Sequence, residues 1–208
     1  MLEAILIEEI ILNDSLADEF ARYSNEYQHS HPNLIRIQDY VRWSFVQSRI
    51  TDGKKILDVG VGVGQFINSL ARSQRCIVVK GIDIKKHGQY LESEVGDAEV
   101  IYSNAISLPF EDNSFDYVTC LEVIEHLEVD DMHKVISEVR RVAKEKAIFT
   151  VPYCEKMPLP SYHKQRYTMS RLNEIFSDSE IKLFAEDRII HWAYIEENIS
   201  TIESSVKI

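Results

Sequence analysis

The chain has 208 residues, 45% of them hydrophobic and 27% charged, enough to bury one full core. A formal net charge of −11 argues against broad nucleic-acid binding through phosphate contacts. No apolar run reaches the length of a membrane span, and the first residues, Met1-Leu2-Glu3-Ala4-Ile5-Leu6-Ile7, lack the basic flank of a signal peptide. Cys76, Cys120 and Cys154 are widely spaced and have no metal-knuckle pairing, which reads as reduced core residues of a cytoplasmic protein.

Residues 1–50 read as helices. Leu16, Phe20, Tyr23 and Tyr27 form one apolar stripe behind a cap at Asp14 or Ser15. His31-Pro32 breaks it, because proline disfavours a helical residue before it. Leu34, Ile37, Val41 and Phe45 then form a second stripe. Thr51-Asp52-Gly53 has turn chemistry. With no linker or internal repeat, the chain reads as a single domain over residues 1–208, a helical cap (1–50) on a core (51–208).

The core opens with Ile56-Leu57-Asp58-Val59-Gly60-Val61-Gly62-Val63-Gly64-Gln65-Phe66. Ile56, Leu57 and Val59 suit a strand buried on both faces. Gly60, Gly62 and Gly64 let the backbone turn tightly and approach a ligand. Phe66, Ile67, Leu70 and Ala71 continue at helical spacing, so the helix start points at whatever sits above the glycines. The spacing is G-x-G-x-G, whereas the dinucleotide fingerprint is G-x-G-x-x-G. A purely structural glycine turn is the third alternative.

The next strand, Cys76-Ile77-Val78-Val79-Lys80-Gly81-Ile82-Asp83, ends in a carboxylate 19 positions after Gly64 and is followed by Ile84. A carboxylate so placed can accept both hydroxyls of a ribose. Val100-Ile101-Tyr102-Ser103 reads as a short strand before Asn104-Ala105, where an amide can both donate to and accept from a nucleobase. Phe115-Asp116-Tyr117-Val118 leads into Cys120-Leu121-Glu122-Val123-Ile124-Glu125-His126-Leu127. Asp130 then stands as a cap for a helix with the stripe Met132, Val135, Ile136, Val139 and Ala143. Residues 146–152 read as a strand, a helix starts at Ser170, and residues 181–187 and 189–196 read as an antiparallel pair.

The Leu57-Asp58-Val59-Gly60-x-Gly62-x-Gly64 turn, the Leu108-Pro109-Phe110 to Tyr117-Val118 segment and Glu122-Val123-Ile124-Glu125-His126-Leu127 resemble, in this order, the motifs of class I S-adenosylmethionine-dependent methyltransferases. Two positions depart from that family. Asn104 stands where an acidic residue is usual, and Lys144-Glu145 stands where proline and glycine are common. The resemblance covers about residues 33–196 and implies an α/β fold: a Rossmann-like, seven-stranded, mostly parallel sheet with helices on both faces, an antiparallel edge hairpin and the amino-terminal helical cap. It further implies S-adenosyl-L-methionine as cofactor and S-adenosyl-L-homocysteine as product. Gly60, Gly62 and Gly64 would lie against the methionine part, with Asp58 near its amino end or orienting the turn. Asp83 would hold the ribose, with Ile84 after it also in contact with the cofactor; Asn104 and Ala105 would border adenine, and Leu121 and Glu122 would line the cofactor after the fourth strand.

His126 is the candidate base, since imidazole is neutral and basic near pH 7. Tyr23 and Tyr27 could close over a sulfonium by cation–π attraction, although their stripe fits a core equally well. Residues 155–171 set Glu155 against Lys156, Lys164, Arg166 and Arg171. That balance suggests a small anionic acceptor held by Lys164 and Arg166, with Tyr162 and Tyr167 against a ring. Two further readings stand beside this one. Glu122, Glu125 and His126 fall at i, i+3 and i+4 and, with His163, could make a two-Glu, two-His cation site. That pattern is similar to metal-dependent small-RNA 2′-O-methyltransferases, but it lacks their richer signature around the second histidine, so the expectation is no metal. The other reading is a non-catalytic S-adenosylmethionine-binding subunit. The partner expected is a small molecule, not nucleic acid or a membrane.

Overall fold

The computed structural model describes residues 5–6, 37–62, 64–86, 98–186 and 189–199. Its strands are β1 (Ile5–Leu6), β2 (Lys55–Val59), β3 (Val78–Asp83), β4 (Glu99–Tyr102), β5 (Phe115–Leu121), β6 (Ala143–Pro152), β7 (Glu180–Glu186) and β8 (Ile189–Asn198). The helices are α1 (Ile37–Ser48), α2 (Gln65–Arg72), α3 (Val129–Val142) and α4 (Met169–Ile175), with a 3-10 turn at Ile124–His126. All strands join one sheet in the order β1-β7-β8-β6-β5-β2-β3-β4. The pairs β4–β3, β3–β2, β2–β5 and β5–β6 are parallel, and β8 runs antiparallel to both β6 and β7.

Strands β2 to β8 are thus the seven-stranded, mostly parallel sheet with an edge hairpin that the sequence predicts. Two details differ. Residues 5–6, read as part of a helical segment, form a short strand parallel to β7, with Ile5 opposite Phe184 and Leu6 opposite Ala185. An edge strand leaves a row of unpaired backbone groups, and this segment meets some of them. The predicted stripe from Leu16 to Tyr27, and with it both tyrosines, lies outside the described residues, as does Leu34 of the second stripe; Val41 and Phe45 of that stripe lie in α1. No helix among the described residues is long and apolar enough to cross a membrane.

The period of two along each strand sorts the core into two faces. Leu57, Val59, Val118, Cys120, Phe149 and Val151 pack with Met132, Val135, Ile136 and Val139 of α3. Ile56, Tyr117, Ile148, Phe184, Trp192 and Tyr194 pack on the other face with Val46, Ile50, Phe66 and Leu70. Asp58 follows Ile56 onto the second face, the one covered by α1 and α2. Gly81 lets α2 come close, because a Cβ there would sit 2.6 Å from Ile67 Cδ1 and 2.4 Å from Val61 Cγ1. α1 docks through Phe45, whose ring meets Phe184 and Tyr194 edge-on at centroid distances of 4.7 and 5.0 Å.

A charged hub then fixes the end of α1 to the sheet. Glu196 of β8 is buried and accepts hydrogen bonds from Arg49 Nε (3.0 Å), Lys146 Nζ (2.7 Å) and the Tyr194 hydroxyl. Burial alone would raise the Glu196 carboxyl, but bonds from Arg49, Lys146 and Tyr194 outweigh it and hold the group down at about 2. A depressed carboxylate contributes stability that is full above its unfolded value and is lost as pH falls through the folded one. Glu196→Gln is therefore expected to cost about 2 kcal/mol at pH 7, after discount for the partly exposed partners. The difference from the parent should shrink between pH 4.5 and pH 2. Urea unfolding across that range checks it; a pH-independent difference would refute the linkage.

Other expectations shift locally. The first residue before α3 is Glu128, without a side-chain cap, and Asp130 sits inside the first turn, where a carboxylate favours the helix dipole. Ala143 leaves the predicted helix, because β6 starts directly there. Thr168 caps α4, which starts at Met169, one residue before the predicted start. Cys120 is buried, Cys76 is half-buried, and Cys154 is exposed, contrary to a core role.

Candidate functional site

The functional residues collect beyond the carboxyl ends of the parallel strands. Here β3 and β5 lie on opposite sides of β2, so the chain leaves in opposite directions and opens a crevice. Gly60 follows β2 at φ 83°, and its N–H donates to the Ile82 carbonyl at 2.8 Å. A Cβ on Gly60 would lie 2.3 Å from Val123 Cγ2, so only glycine lets this turn meet the segment after β5. Gly64, at φ 85°, starts α2, and its N–H donates to Val61 O at 2.9 Å. The Gly62 N–H donates to Asp83 Oδ2 at 2.9 Å, which ties the turn to the end of β3.

Three cavities open here. One, of about 300 Å³, is lined by Gly60, Gly62, Asp83, Ile84, Asn104, Ala105, Glu122, Val123, His126 and Leu127, among others. A second, of about 220 Å³, is lined by Arg42, Trp43, Asp58, Gly60, Gly62, Gln65, Leu121 and Glu122, with Val61 and Phe66. A third, of about 600 Å³, lies over Asp39, Arg42, Glu122, Glu125, His126, Tyr153, Cys154, Glu155, Lys156, Tyr162, His163, His191 and Trp192, with Pro152. Glu122 lines all three.

Of the residues predicted to hold a cofactor, all but Gly64 line one of the two smaller cavities, and Gly64 shapes the turn between them. His126 stands at the border of the first and third cavities. Lys164 and Arg166 line none of the three. Lys164 Nζ lies 3.8 Å from Glu128 Oε1, and Arg166 Nε donates to the Glu155 carbonyl at 2.9 Å. Tyr162 does line the third cavity, whereas Tyr167 is buried, with its hydroxyl 3.2 Å from Met132 Sδ. The cation this loop gives to the cavity is Lys156.

The site also holds residues that the sequence reading passed over. Arg42 and Asp39 come from α1, both buried, and Arg42 Nη2 donates to Asp39 Oδ1 at 2.9 Å. Arg42 Nη1 also lies 3.6 Å from Glu122 Oε2. The available signal was an opposite-charge pair at i, i+3 beside the apolar stripe. Glu122 adopts φ 55°, a left-handed conformation costing about 1 kcal/mol for a residue with a side chain, at the point where the three cavities meet.

Electrostatics single out two carboxyls. Burial pushes Asp58 up to about 7, with the charge of Asp83 adding to the rise and a 2.6 Å hydrogen bond from Thr119 opposing it. Burial, then the nearby Glu122, also raises Glu125 well above the usual carboxylate range, against Arg42.

Residues 57–151 match the family described as methyltransferase domain. The chain is 34% identical over 122 residues to Arabidopsis thaliana 24-methylenesterol C-methyltransferase 2, covering 55% of this chain and 32% of that protein. It is 32% identical over 122 residues to the demethylmenaquinone methyltransferase of Bacillus subtilis, covering 54% and 52%. The chain thus spans about a third to a half of these curated relatives. Magnesium protoporphyrin IX methyltransferase from Synechocystis, solved with bound S-adenosylmethionine, shares the fold at TM-score 0.58 and 18% identity, over 94% of this chain and 98% of that one.

Proposed function

We propose that the protein transfers the methyl group of S-adenosylmethionine to a small-molecule acceptor, because residues 57–151 match a methyltransferase-domain family and the sheet has the expected mostly parallel order. The observation that carries this reading is the meeting of the two smaller cavities with the large one at Glu122, which sets donor beside acceptor. Adenosine occupies the 300 Å³ cavity, with its ribose hydroxyls on Asp83 and its base against Asn104 and Ala105. The methionine end occupies the 220 Å³ cavity, its carboxylate toward Arg42 and its ammonium toward Asp58. The whole chain acts as one domain, with α1 over the methionine end.

The reaction is a displacement at the sulfonium methyl. A bond forms from the acceptor atom to carbon, the carbon–sulfur bond breaks with its electron pair left on sulfur, and the proton that the acceptor sheds passes to the His126 ring. An activated donor asks the protein chiefly for alignment and exclusion of water. His126 acts on the acceptor, since it borders both the adenosine cavity and the acceptor cavity.

The acceptor enters the 600 Å³ cavity. An anionic acceptor held by Lys164 and Arg166 finds little support there, because neither residue lines it. Asp39, Glu122, Glu125 and Glu155 face Arg42 and Lys156 across its walls, a balance that repels an anion. An uncharged, ring-bearing acceptor against Tyr153, Tyr162 and Trp192 fits better, in keeping with relatives named for a sterol and a menaquinone.

Calorimetry tests the donor half. S-adenosylhomocysteine should bind one per chain, and nicotinamide dinucleotides should not. Arg42→Ala should weaken it about tenfold by removing the carboxylate's partner. Tight nicotinamide binding with no S-adenosylhomocysteine signal would overturn the reading.

A further inference from the structure

The loop that gives Lys156 and Tyr162 to the large cavity is held at its base and open at its tip. Residues 156–162 read Lys156-Met157-Pro158-Leu159-Pro160-Ser161-Tyr162. The Cys154 N–H donates to the Tyr167 carbonyl at 2.8 Å, Arg166 Nε donates to the Glu155 carbonyl at 2.9 Å, and His163 Nδ1 lies 2.7 Å from Glu155 Oε2. A turn closes the far side, where the His163 N–H donates to the Pro160 carbonyl at 2.9 Å. Clasping at the base orders such a loop without covering its tip.

The tip is apolar where a surface loop is normally polar. Met157 is 68% exposed and Tyr162 64% exposed, with Leu159 and Pro160 half-buried between them. Single exposed hydrophobes are ordinary, but these gather in one short loop that holds no acid. Pro158 and Pro160 have no N–H, so two backbone donors that would need water are absent. A backbone with fewer donors leaves water for an apolar medium at lower cost.

Charge completes the pattern. From residue 156 to residue 166 the chain has Lys156, Lys164 and Arg166 and no carboxylate, within a molecule of net charge −11. Arg166 Nε bonds a neutral carbonyl, and Lys156 has no ion pair among the described residues. Lys164 lies 3.8 Å from Glu128, but both side chains are well exposed, so the pair is weak. Apolar side chains flanked by cations match the interface of an anionic bilayer. The hydrophobes enter below the headgroups, and the cations stay among them.

We propose that residues 156–162 dock the protein on an anionic lipid surface, so that the acceptor passes from the bilayer into the large cavity without crossing water. The proposal rests on the uncharged, ring-bearing acceptor of the methyltransferase reading, which partitions into a bilayer. Lys156 and Tyr162 belong to the loop and to the cavity wall, so the docked tip and the cavity mouth share one rim. The sequence expectation of no membrane rests on the lack of a spanning run, and surface docking needs no span.

The test sediments the full chain with vesicles of phosphatidylcholine alone and of phosphatidylcholine with about one-third phosphatidylglycerol. The chain should partition onto the mixed vesicles about tenfold better, and the preference should fall as salt rises. Met157→Ser should weaken that binding about tenfold, and Lys164→Gln about fivefold. Met157→Trp places a reporter at the tip, which brominated lipid should quench, while the emission of Trp43 and Trp192 in the parent stays largely unchanged. Calorimetry with S-adenosylhomocysteine runs alongside. Its affinity for all three variants should stay within about threefold of the parent's, because neither Met157 nor Lys164 lines any of the three cavities. No partition onto mixed vesicles, equal partition of Met157→Ser and parent, or an unquenched Met157→Trp would each overturn the proposal. Vesicle binding by a parent protein that fails to bind S-adenosylhomocysteine would instead remove the methyltransferase reading and leave the docking loop standing.

Discussion

Replacing Asp83 with alanine is expected to weaken S-adenosylhomocysteine binding about 100-fold, roughly 3 kcal/mol. The carboxylate serves two clients at once. Its Oδ2 accepts the Gly62 N–H at 2.9 Å, and it faces the cavity assigned to the ribose. Alanine removes the acceptor for the ribose hydroxyls and also frees the glycine turn, so the two losses add. Asp83→Asn keeps one acceptor oxygen and should lose only about tenfold. Calorimetry of both variants, with circular dichroism to confirm folding, decides the matter. Unchanged affinity in the alanine variant would remove Asp83 from the ribose.

Asp58 gives the second large effect, through pH. Its folded value of about 7 lies above the ordinary 3.8, so the folded apoprotein holds a proton there that the unfolded chain has released. For a raised carboxyl the sign is a cost to stability, absent below the unfolded value and complete above the folded one. The apoprotein should therefore lose stability from this group as pH rises from 4 to 7. A cofactor ammonium set against Asp58 reverses the preference, because it pairs with the ionised form. Binding of S-adenosylhomocysteine should then strengthen about tenfold per pH unit on approaching pH 7 from below and level off above it. Asp58→Asn should bind weakly with little slope, and should unfold at higher urea than the parent at pH 8. The charged groups sharing that cavity, Arg42 and Glu122, remain in the variant, so a slope that persists in Asp58→Asn would assign the titration elsewhere.

The parts of this fold that the sequence made readable are those whose cause is local. Ile56, Leu57 and Val59 announce a buried strand, three glycines announce the turn, and Asp83 and Asn104 follow strand ends by simple counting. Arg42 shows the limit. Its neighbours Val41 and Phe45 mark an apolar face, but what lies beneath that face depends on Phe45 meeting Tyr194 and Arg49 meeting Glu196, contacts about 150 residues apart in sequence. Lys164 and Arg166 show the converse. Their charge is plain from composition, yet direction comes from a backbone that aims one near Glu128 and the other at the Glu155 carbonyl. Tyr167 reads as a surface ring beside basic residues and is in fact core, because α4 begins just after it and draws it under Met132.

One residue, Glu122, stands in the wall of every cavity at the site and holds a backbone conformation that its side chain does not favour. A shared wall means that the occupants are not independent tenants. Once the donor fills the two smaller spaces, the surface that the acceptor meets includes the donor itself, and the acceptor chamber is finished only then. On the proposed function, turnover is expected to follow a set order: donor first, acceptor second, methylated product out, and spent donor last.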